Sequence, residues 1–221
     1  MVHTVRILKV EPVTHDVRRF TVEKPAGFRF EPGQATEVAI NRSGWHEQKR
    51  PFTFTSLNDW PDLEFTIKIY SDHDGVTDQL GGLGEGDELL IDDPWGTIQY
   101  RGPGYFIAGG AGVTPFIAIL RQLARNGKLS GNSLLFSNKT GHDIILRDEF
   151  EAMNGLACVF TVTDEPAQDL ENRLIDRPFL EEKVADFSKH FYVCGPPQMV
   201  DDLKAHITAL GGRADAIVFE E

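Results

Sequence analysis

The segment 50-RPFTFTS-56 places one guanidinium group, two aromatic rings and three hydroxyl groups within seven positions. The alternation of Phe52 and Phe54 is what a half-buried strand requires, but a strand core explains neither the arginine nor the hydroxyl groups. An aromatic face can stack on a planar group, and arginine binds phosphate through paired hydrogen bonds. The segment is therefore consistent either with a buried strand or with the wall of a site for a flat, anionic ligand.

The segment 105-YFIAGGAGVTPFIAIL-120 predicts an apolar strand, a glycine-rich turn and a helix with Thr114 as N-cap and Pro115 as its first residue. Helix N-termini present free N–H groups, and glycines let a ligand approach the backbone, so this turn is typical of a pyrophosphate site. The Rossmann pattern G-x-G-x-x-G is absent, because Pro115 follows Gly110 and Gly112 where the third glycine belongs. Alternatively, the turn binds no ligand and only lets the helix pack closely on the strand.

The next predicted strand ends in Ser137, Asn138 and Lys139, where a Rossmann domain would carry an acidic residue for a ribose hydroxyl group. These three side chains could hold a 2′-phosphate, or they could form an ordinary polar loop. The sequence leaves both interpretations open.

A second strand–glycine–helix junction follows in 191-FYVCGPPQMV-200, where two prolines begin the predicted helix. Cys194 would end the strand at the carboxyl edge of the sheet, which is where open α/β sheets bind ligands. A lone cysteine is otherwise a small buried apolar residue. Its position at the junction favours a functional role.

Two patterns of secondary structure surround these motifs. The first half predicts short strands separated by turn residues, with one short helix near residues 75–83, which indicates an antiparallel β-barrel. The second half alternates strands with helices, which indicates a parallel sheet covered on both faces. The turn-rich 101-RGPG-104 separates the patterns, and we predict domains at 1–102 and 103–221. The predicted barrel strands are residues 5–10, 17–22, 35–40, 52–56, 63–70 and 88–91; in the second domain the strands are 105–108, 133–137, 158–163, 191–194 and 216–219, and the helices are 114–126, 146–153, 179–185 and 197–210.

Composition excludes several classes of protein. The formal net charge of −12 argues against nucleic-acid binding, which depends on clustered Lys and Arg. The two cysteines, Cys158 and Cys194, exclude a cluster held by four cysteines, and we predict a cytoplasmic protein with reduced thiols and no metal site. The N-terminal residues lack a signal-peptide pattern, and the glycines and prolines of the uncharged run 102–120 argue against a membrane span.

The order of 50-RPFTFTS-56, 109-GGAGVTP-115 and 194-CGPPQM-199 resembles the ferredoxin–NADP reductase superfamily over nearly the whole chain. The resemblance implies a Greek-key flavin-binding barrel followed by a nicotinamide-nucleotide domain. It implies that Arg50 meets the flavin phosphate, that Phe52 stacks without the hydroxyl group of the usual tyrosine, and that Thr53 lies near flavin N5. Phe219 matches an aromatic residue that covers the flavin, or it is a core residue of the last strand.

The resemblance assigns catalytic roles to Thr53, Thr114 and Cys194, the last two flanking the nicotinamide. The implied flavin-binding residues are Arg50, Pro51, Phe52, Thr53, Ile67, Lys68, Ile69, Gly75, Val76, Thr77 and Phe219. The implied nucleotide-binding residues are Gly110, Gly112, Val113, Thr114, Pro115, Ser137, Asn138, Lys139, Cys194, Gly195 and Pro196.

The implied function is an NAD(P)H-dependent flavoprotein reductase with FAD in preference to FMN. Because the chain has no cluster cysteines, we expect an external electron acceptor such as a small ferredoxin or flavodoxin. We further expect a monomer. Lys139 slightly favours NADPH over NADH as the electron donor. The alternatives are a reductase of free FMN or riboflavin and a flavin-binding electron-transfer subunit without turnover.

Overall fold

The computed structural model describes residues 1–71, 74–96, 98–167 and 169–213, and the backbone of a final strand at Ile217–Phe219. Among the described residues, no helix is both long and apolar enough to cross a membrane. The uncharged run 102–120 instead forms a strand, a turn and a helix, as its glycines and prolines predict.

Six antiparallel strands of the first half form one sheet in the order β4-β3-β6-β1-β2-β5. An isolated bridge between Phe54 and Phe65 brings the two edge strands together, so the sheet curls into a nearly closed barrel. The strands are β1 (His3–Pro12), β2 (Val17–Val22), β3 (Ala35–Ile40), β4 (Arg50–Thr53), β5 (Leu63–Lys68) and β6 (Glu88–Ile91), with the short helix α1 (Val76–Gly81) between β5 and β6.

The barrel core is built around the Phe54 ring, which is fully buried. Its centroid lies 4.4 Å from that of Phe30, 5.2 Å from that of Phe65 and 5.7 Å from that of Phe28. Each buried phenylalanine contributes about 1.5–3 kcal/mol through the burial of apolar surface. Phe54 is therefore a core residue of the barrel.

The prediction of one strand over residues 52–56 is wrong in its extent, because β4 covers Arg50–Thr53. The chain pairs with β3 up to Thr53 and then turns to meet β5 at Phe54. This change of partner at the barrel corner breaks the regular alternation of faces. Phe52 can consequently remain partly exposed while Phe54 enters the core.

The second half forms a parallel six-stranded sheet in the order β10-β9-β8-β7-β11-β12, which confirms the predicted fold class. Its strands are β7 (Gly104–Gly109), β8 (Ser133–Asn138), β9 (Ala157–Val162), β10 (Glu171–Asn172), β11 (His190–Cys194) and β12 (Ile217–Phe219). Its helices are α2 (Thr114–Arg125), α3 (Arg147–Glu151), α4 (Arg177–Lys183) and α5 (Pro197–Ala209). The two-residue edge strand β10 was not predicted, since it lacks any apolar pattern.

Helices cover both faces of this sheet. Phe116 and Leu120 of α2 and Phe150 of α3 pack on one face, in a cluster that also includes Val17 and Ile98 of the barrel. Residues of α4 and α5 pack on the other face. The first face is therefore where the two halves of the chain meet.

The connection between the two sheets is held by Tyr192 of β11. Its hydroxyl group accepts hydrogen bonds from the backbone N–H groups of Arg101 and Gly102 and donates one to the carbonyl oxygen of Gly102. These bonds fix the connection directly before β7. The exact domain division at 102 and 103 stays a prediction.

Candidate functional site

A cavity of about 950 Å³ lies between the barrel and the parallel sheet. The barrel contributes residues of β4 and β5, and the sheet contributes the turns that follow β7 and β11 and the end of β8. The chain order of the sheet reverses between β7 and β11, so the cavity lies at a topological switch point, at the carboxyl ends of the strands. Open α/β sheets bind their ligands at this place.

Phe52 and Thr53 form the barrel wall of the cavity. The phenylalanine ring is partly exposed, whereas Thr53 is only 6% exposed. Within the described part of the chain, the hydroxyl group of Thr53 makes no hydrogen bond. An aromatic face and a hydroxyl group without a protein partner are thus adjacent in the wall, which suits a planar ligand with hydrogen-bonding edges.

Lys68 is the cation of the barrel wall, and it is already paired. Its Nζ lies 2.8 Å from Oδ2 of Asp16, and Thr14 donates a hydrogen bond to the same carboxylate. Burial raises the pKa of Asp16, but the hydrogen bonds of Lys68 and Thr14 outweigh it and lower the pKa. Burial lowers the pKa of Lys68, and Asp16 reverses that shift. Asp16 thus offsets the Lys68 charge, and a ligand phosphate would compete with it.

The helix that follows the glycine turn after β7 begins one residue earlier than predicted. Residues Gly110–Val113 form a 3-10 turn that runs directly into α2, so Val113 stands at the N-cap position and Thr114 is already helical. The prediction of Thr114 as N-cap is wrong, because the helical backbone starts earlier. The Thr114 hydroxyl group consequently makes no capping bond and lines the cavity without a hydrogen-bond partner among the described residues.

Two glycines of this turn have different physical roles. Gly110 has φ of +52°, and a Cβ atom there would meet nothing within 4 Å, so its backbone opens onto the cavity. A Cβ atom on Gly112 would lie 2.4 Å from the carbonyl oxygen of Cys194. Gly110 therefore leaves room for a ligand, while Gly112 lets the turns after β7 and β11 touch.

Cys194 ends β11 at the carboxyl edge of the sheet, as predicted, and it is buried and lines the cavity. It forms no disulfide. Pro196 and Pro197 follow at the start of α5, which confirms the predicted proline-initiated helix.

Polar side chains at the end of β8 form a third part of the lining. Ser137, Asn138 and Lys139 all line the cavity, together with Asp143. Both polar atoms of the Asn138 carboxamide are buried without a hydrogen-bond partner among the described residues. An unpaired buried amide is costly, so this side chain is a candidate for a ligand contact. Lys139 also faces a neighbouring cavity beside Asp164 and Glu165.

The structure brings most of the predicted site residues to this one cavity. The predicted residues that line it are Pro51, Phe52, Thr53, Ile67, Lys68, Thr77, Gly110, Gly112, Thr114, Ser137, Asn138, Lys139, Cys194, Gly195 and Pro196. Six other predicted residues, Arg50, Ile69, Gly75, Val76, Val113 and Pro115, are described but do not line it. The side chain of Phe219 lies outside the described residues.

Local packing or exposure explains why five of these six residues lie away from the cavity; nothing in the structure explains Gly75. Val76, Val113 and Pro115 are buried in the hydrophobic cores, and Ile69 packs against the barrel core and α1. Arg50 is exposed, and its guanidinium group donates a hydrogen bond to the carbonyl oxygen of Lys49. Arg50 forms no ion pair with any described carboxylate, so its charge remains available to an anion at the rim.

Sequence reasoning missed several lining residues, including Asp16, Thr66, Tyr70, Asp143 and Met199. Tyr70 directly follows the Lys68–Ile69 pair, and this neighbourhood was a usable signal. Asp16 and Asp143 lie in turns far from any of the three motifs. The pairing of β2 with β5 places Asp16 beside Lys68 in the barrel wall, and the docking of the two sheets brings Asp143 to the same cavity.

Family comparisons match this arrangement in both halves of the chain. Residues 4–100 match the family described as "Oxidoreductase FAD-binding domain", and residues 106–205 match "Oxidoreductase NAD-binding domain". The chain therefore combines these two oxidoreductase domain families. Its two halves are an FAD-binding domain and an NAD-binding domain, in the order that the resemblance implied.

Two similar curated proteins are reductase components of oxygenase systems. The chain is 28% identical over 234 residues to the propane 2-monooxygenase reductase component of Rhodococcus jostii, covering 98% of this chain and 62% of the relative. It is 27% identical over 218 residues to the ferredoxin–NAD(P)+ reductase component of the naphthalene 1,2-dioxygenase system of Pseudomonas putida, covering 91% of this chain and 64% of the relative. The chain thus spans less than two thirds of the length of these relatives.

A solved ferredoxin–NADP+ reductase from Neisseria gonorrhoeae, with bound FAD and NADP, has the same fold. It superposes with a TM-score of 0.87 at 21% sequence identity, over 99% of this chain and 98% of that chain. This likeness confirms the two-domain architecture.

The residues of the cavity fit an FAD group. The partly exposed Phe52 ring can stack on a planar ring system, and the Thr53 hydroxyl group, which has no hydrogen-bond partner among the described residues, can bond to its edge. Arg50 does not line the cavity, but it directly precedes the lining residue Pro51 and forms no ion pair with a described carboxylate, so its charge can meet a phosphate. The open backbone at Gly110 leaves room for a second ligand on the opposite wall. The assignments of individual residues to flavin or nucleotide stay predictions.

Proposed function

We propose that this chain is an NAD(P)H-dependent flavoprotein reductase that passes electrons from a reduced nicotinamide nucleotide, through FAD, to an external carrier such as ferredoxin or flavodoxin. The observation that carries the proposal is the shared cavity, in which the FAD-binding barrel and the strand ends of the NAD-binding sheet contribute opposite walls. Electron transfer between two bound cofactors requires this kind of juxtaposition.

When bound, FAD accepts electrons in pairs from a nicotinamide and can release them singly to a carrier. The chain's contribution is binding, orientation and the exclusion of water. Thr53 offers a hydroxyl group from the barrel wall, and Thr114 offers one from the start of α2. Cys194 closes the cavity between them at the end of β11. We assign catalytic positioning to these three residues.

Phosphate groups of the two ligands would bind at separate places. Arg50, which pairs with no carboxylate in the described part of the chain, supplies positive charge beside the lining residue Pro51. The 3-10 turn at Gly110–Val113 supplies backbone N–H groups, since the first N–H groups of a helical turn have no partner within it. Lys139 supplies a charge at the end of β8.

The external acceptor follows from the cysteine count and the relatives. The two cysteines cannot hold a four-cysteine cluster, so a carrier must lie outside the residues of this chain. The relatives are named as reductase components of oxygenase systems, which supports a protein acceptor. Cys158 and Cys194 form no disulfide with each other, which suits the cytoplasmic location that we propose.

Anaerobic titration of the purified protein with NADH and with NADPH tests the proposal. We expect a yellow protein whose flavin absorbance bleaches with at least one of the two nucleotides. Release of the flavin and measurement of its mass should identify FAD. A colourless protein that reduces added FMN or riboflavin would support a free-flavin reductase instead. Bound flavin that neither nucleotide bleaches would contradict any reductase function.

A further inference from the structure

Arg121 of α2 binds both halves of the chain. Its Nη1 donates hydrogen bonds to the carbonyl oxygen of Thr55, at 2.7 Å, and to Oε1 of Glu64, at 2.6 Å, both in the barrel. Its Nε and Nη2 donate to the two carboxylate oxygens of Glu149 in α3, at 2.6 and 2.8 Å. The guanidinium group also lies 5.3 Å from the centroid of the Trp60 ring.

This contact is buried, unlike most ion pairs of the protein. The side chains of Arg121 and Glu64 are 9% and 10% exposed. Burial lowers the pKa of Arg121, but the bonds and charges of Glu149 and Glu64 raise it above its ordinary value, so the cation is firmly retained. One cation therefore joins two carboxylates on opposite sides of the interface between the halves.

Hydrogen bonds lead from this contact to the wall of the cavity. Thr55 donates its hydroxyl hydrogen to Oε1 of Glu64, at 2.7 Å, and lies 3.2 Å from Oγ1 of Thr66. Thr66 lines the cavity. Thr55 is also two residues beyond Thr53, the threonine of the barrel wall.

On the nucleotide side, the same helix carries the opposite wall. Thr114 is the first residue of α2 and lines the cavity, and Arg121 follows two turns later on that helix. The helical rise of about 1.5 Å per residue separates them by about 10 Å along one rigid element. Arg121 is thus tied directly to both segments that carry the facing threonine hydroxyl groups.

We propose that Arg121 is a positioning residue that fixes the separation of Thr53 and Thr114 across the cavity. The proposal rests on the proposed function, since it concerns the alignment of the two ligands for electron transfer. The planar fork of arginine is needed because one group bonds two carboxylates and a carbonyl oxygen at once. A lysine ammonium keeps the charge but cannot reproduce this geometry.

The test compares Arg121→Lys with Arg125→Lys. Arg125 lies one turn later on α2 and also pairs across the interface, with Asp59, but both side chains are about half exposed. For Arg121→Lys we expect the plateau rate of flavin reduction, measured by stopped flow at saturation with the nucleotide that reduces the parent flavin faster, to fall about tenfold or more, because misplacement by a fraction of an ångström slows transfer. The dissociation constants for FAD and for that nucleotide should change less than about threefold. Arg125→Lys should stay within about twofold of the parent rate.

Hydrogen exchange of the FAD-free protein supplies a readout that does not depend on activity. We expect faster amide exchange at residues 53–57 and in α2 for Arg121→Lys, but not for Arg125→Lys. Glu64→Gln keeps the Thr55 contact and removes the charge. We expect this variant to lower the plateau rate and to speed amide exchange, as Arg121→Lys does, but by a smaller amount.

An unchanged plateau rate in Arg121→Lys, or an equal loss in Arg125→Lys, would overturn the positioning role. If neither nucleotide reduces the parent flavin, the proposed function fails. The exchange comparison then decides by itself whether Arg121 holds the two walls, and parent-like exchange in Arg121→Lys would overturn the inference.

Discussion

Substitution of Gly112 by alanine tests whether contact between two turns sets the shape of the cavity. Gly112 lies in the turn after β7, and a Cβ atom there would be 2.4 Å from the oxygen and 2.5 Å from the carbon of the Cys194 carbonyl group. It would also be 2.6 Å from the backbone nitrogen of Gly195. These neighbours are backbone atoms, so no side-chain rotation can relieve the clash.

The size of the effect follows from those distances. Ordinary contact begins at 3.4 Å, so the turns after β7 and β11 must separate by about 1 Å. Overpacking of this kind costs about 1–3 kcal/mol of folding free energy. Because Thr114 and Cys194 line the cavity from these two turns, the same movement displaces both residues. A displacement of about 1 Å at reacting groups lowers rates by about 100-fold.

We therefore expect Gly112→Ala to lower the Tm by several degrees and to slow nicotinamide-dependent flavin reduction about 100-fold. The dissociation constant for FAD should stay within about threefold, since the clash lies in the nucleotide half. Gly84→Ala is the matched control: a Cβ atom there meets nothing within 4 Å, and the position has no left-handed φ. A parent-like rate and Tm in Gly112→Ala would refute the reasoning.

Three further substitutions and one labelling experiment probe individual residues. Thr53→Ala should slow flavin reduction about tenfold while flavin stays bound, because the lost hydroxyl group has no protein partner; an unchanged stopped-flow rate would remove Thr53 from the mechanism. Arg50→Ala should raise the flavin dissociation constant about 10- to 100-fold through loss of a charged hydrogen bond to phosphate, and unchanged occupancy would contradict that role. Lys139→Ala should weaken binding of NADPH by a similar factor and binding of NADH little, if Lys139 meets a 2′-phosphate; equal losses for both nucleotides would exclude that contact. Burial, with a smaller contribution from the Glu151 charge, raises the pKa of Cys158 to about 11, so its thiol stays protonated at pH 8 and iodoacetamide should label it slowly in the folded protein. Labelling should accelerate only as the pH approaches 11, and rapid labelling at pH 8, followed by peptide mass spectrometry, would show that the thiol is not shielded.

Local sequence patterns were sufficient for most elements and for the order of the domains. Alternating apolar residues in segments such as 17–22 and 35–40 predict strands whose bounds the structure reproduces. The glycine turn before Thr114 and the two prolines after Gly195 mark strand–helix junctions, because glycines and prolines directly after an apolar strand are typical of the start of a helix. The three motifs therefore identify both walls of the cavity.

Local patterns were insufficient where two segments distant in sequence compete for one residue. The strand that begins at Arg50 ends at Thr53 because Phe54 pairs with Phe65 across the barrel. Thr114 loses its capping role because the turn at Gly110–Val113 is already helical. The strand end is set by a segment distant in sequence. The helix start is set by the conformation of a glycine turn, and glycine permits several backbone conformations.

The sequence by itself determined which residue types stand at the strand ends, since strand, turn and helix signals act over a few neighbouring positions. Only the tertiary structure decided what faces those residues. The pairing of Lys68 with Asp16 and the contacts of Arg121 with Thr55 and Glu64 each join segments dozens of positions apart. The Lys68–Asp16 contact arises from the pairing of β2 with β5, whereas the Arg121 contacts arise from the docking of α2 on the barrel. Charges withdrawn from water need such partners because water no longer solvates them.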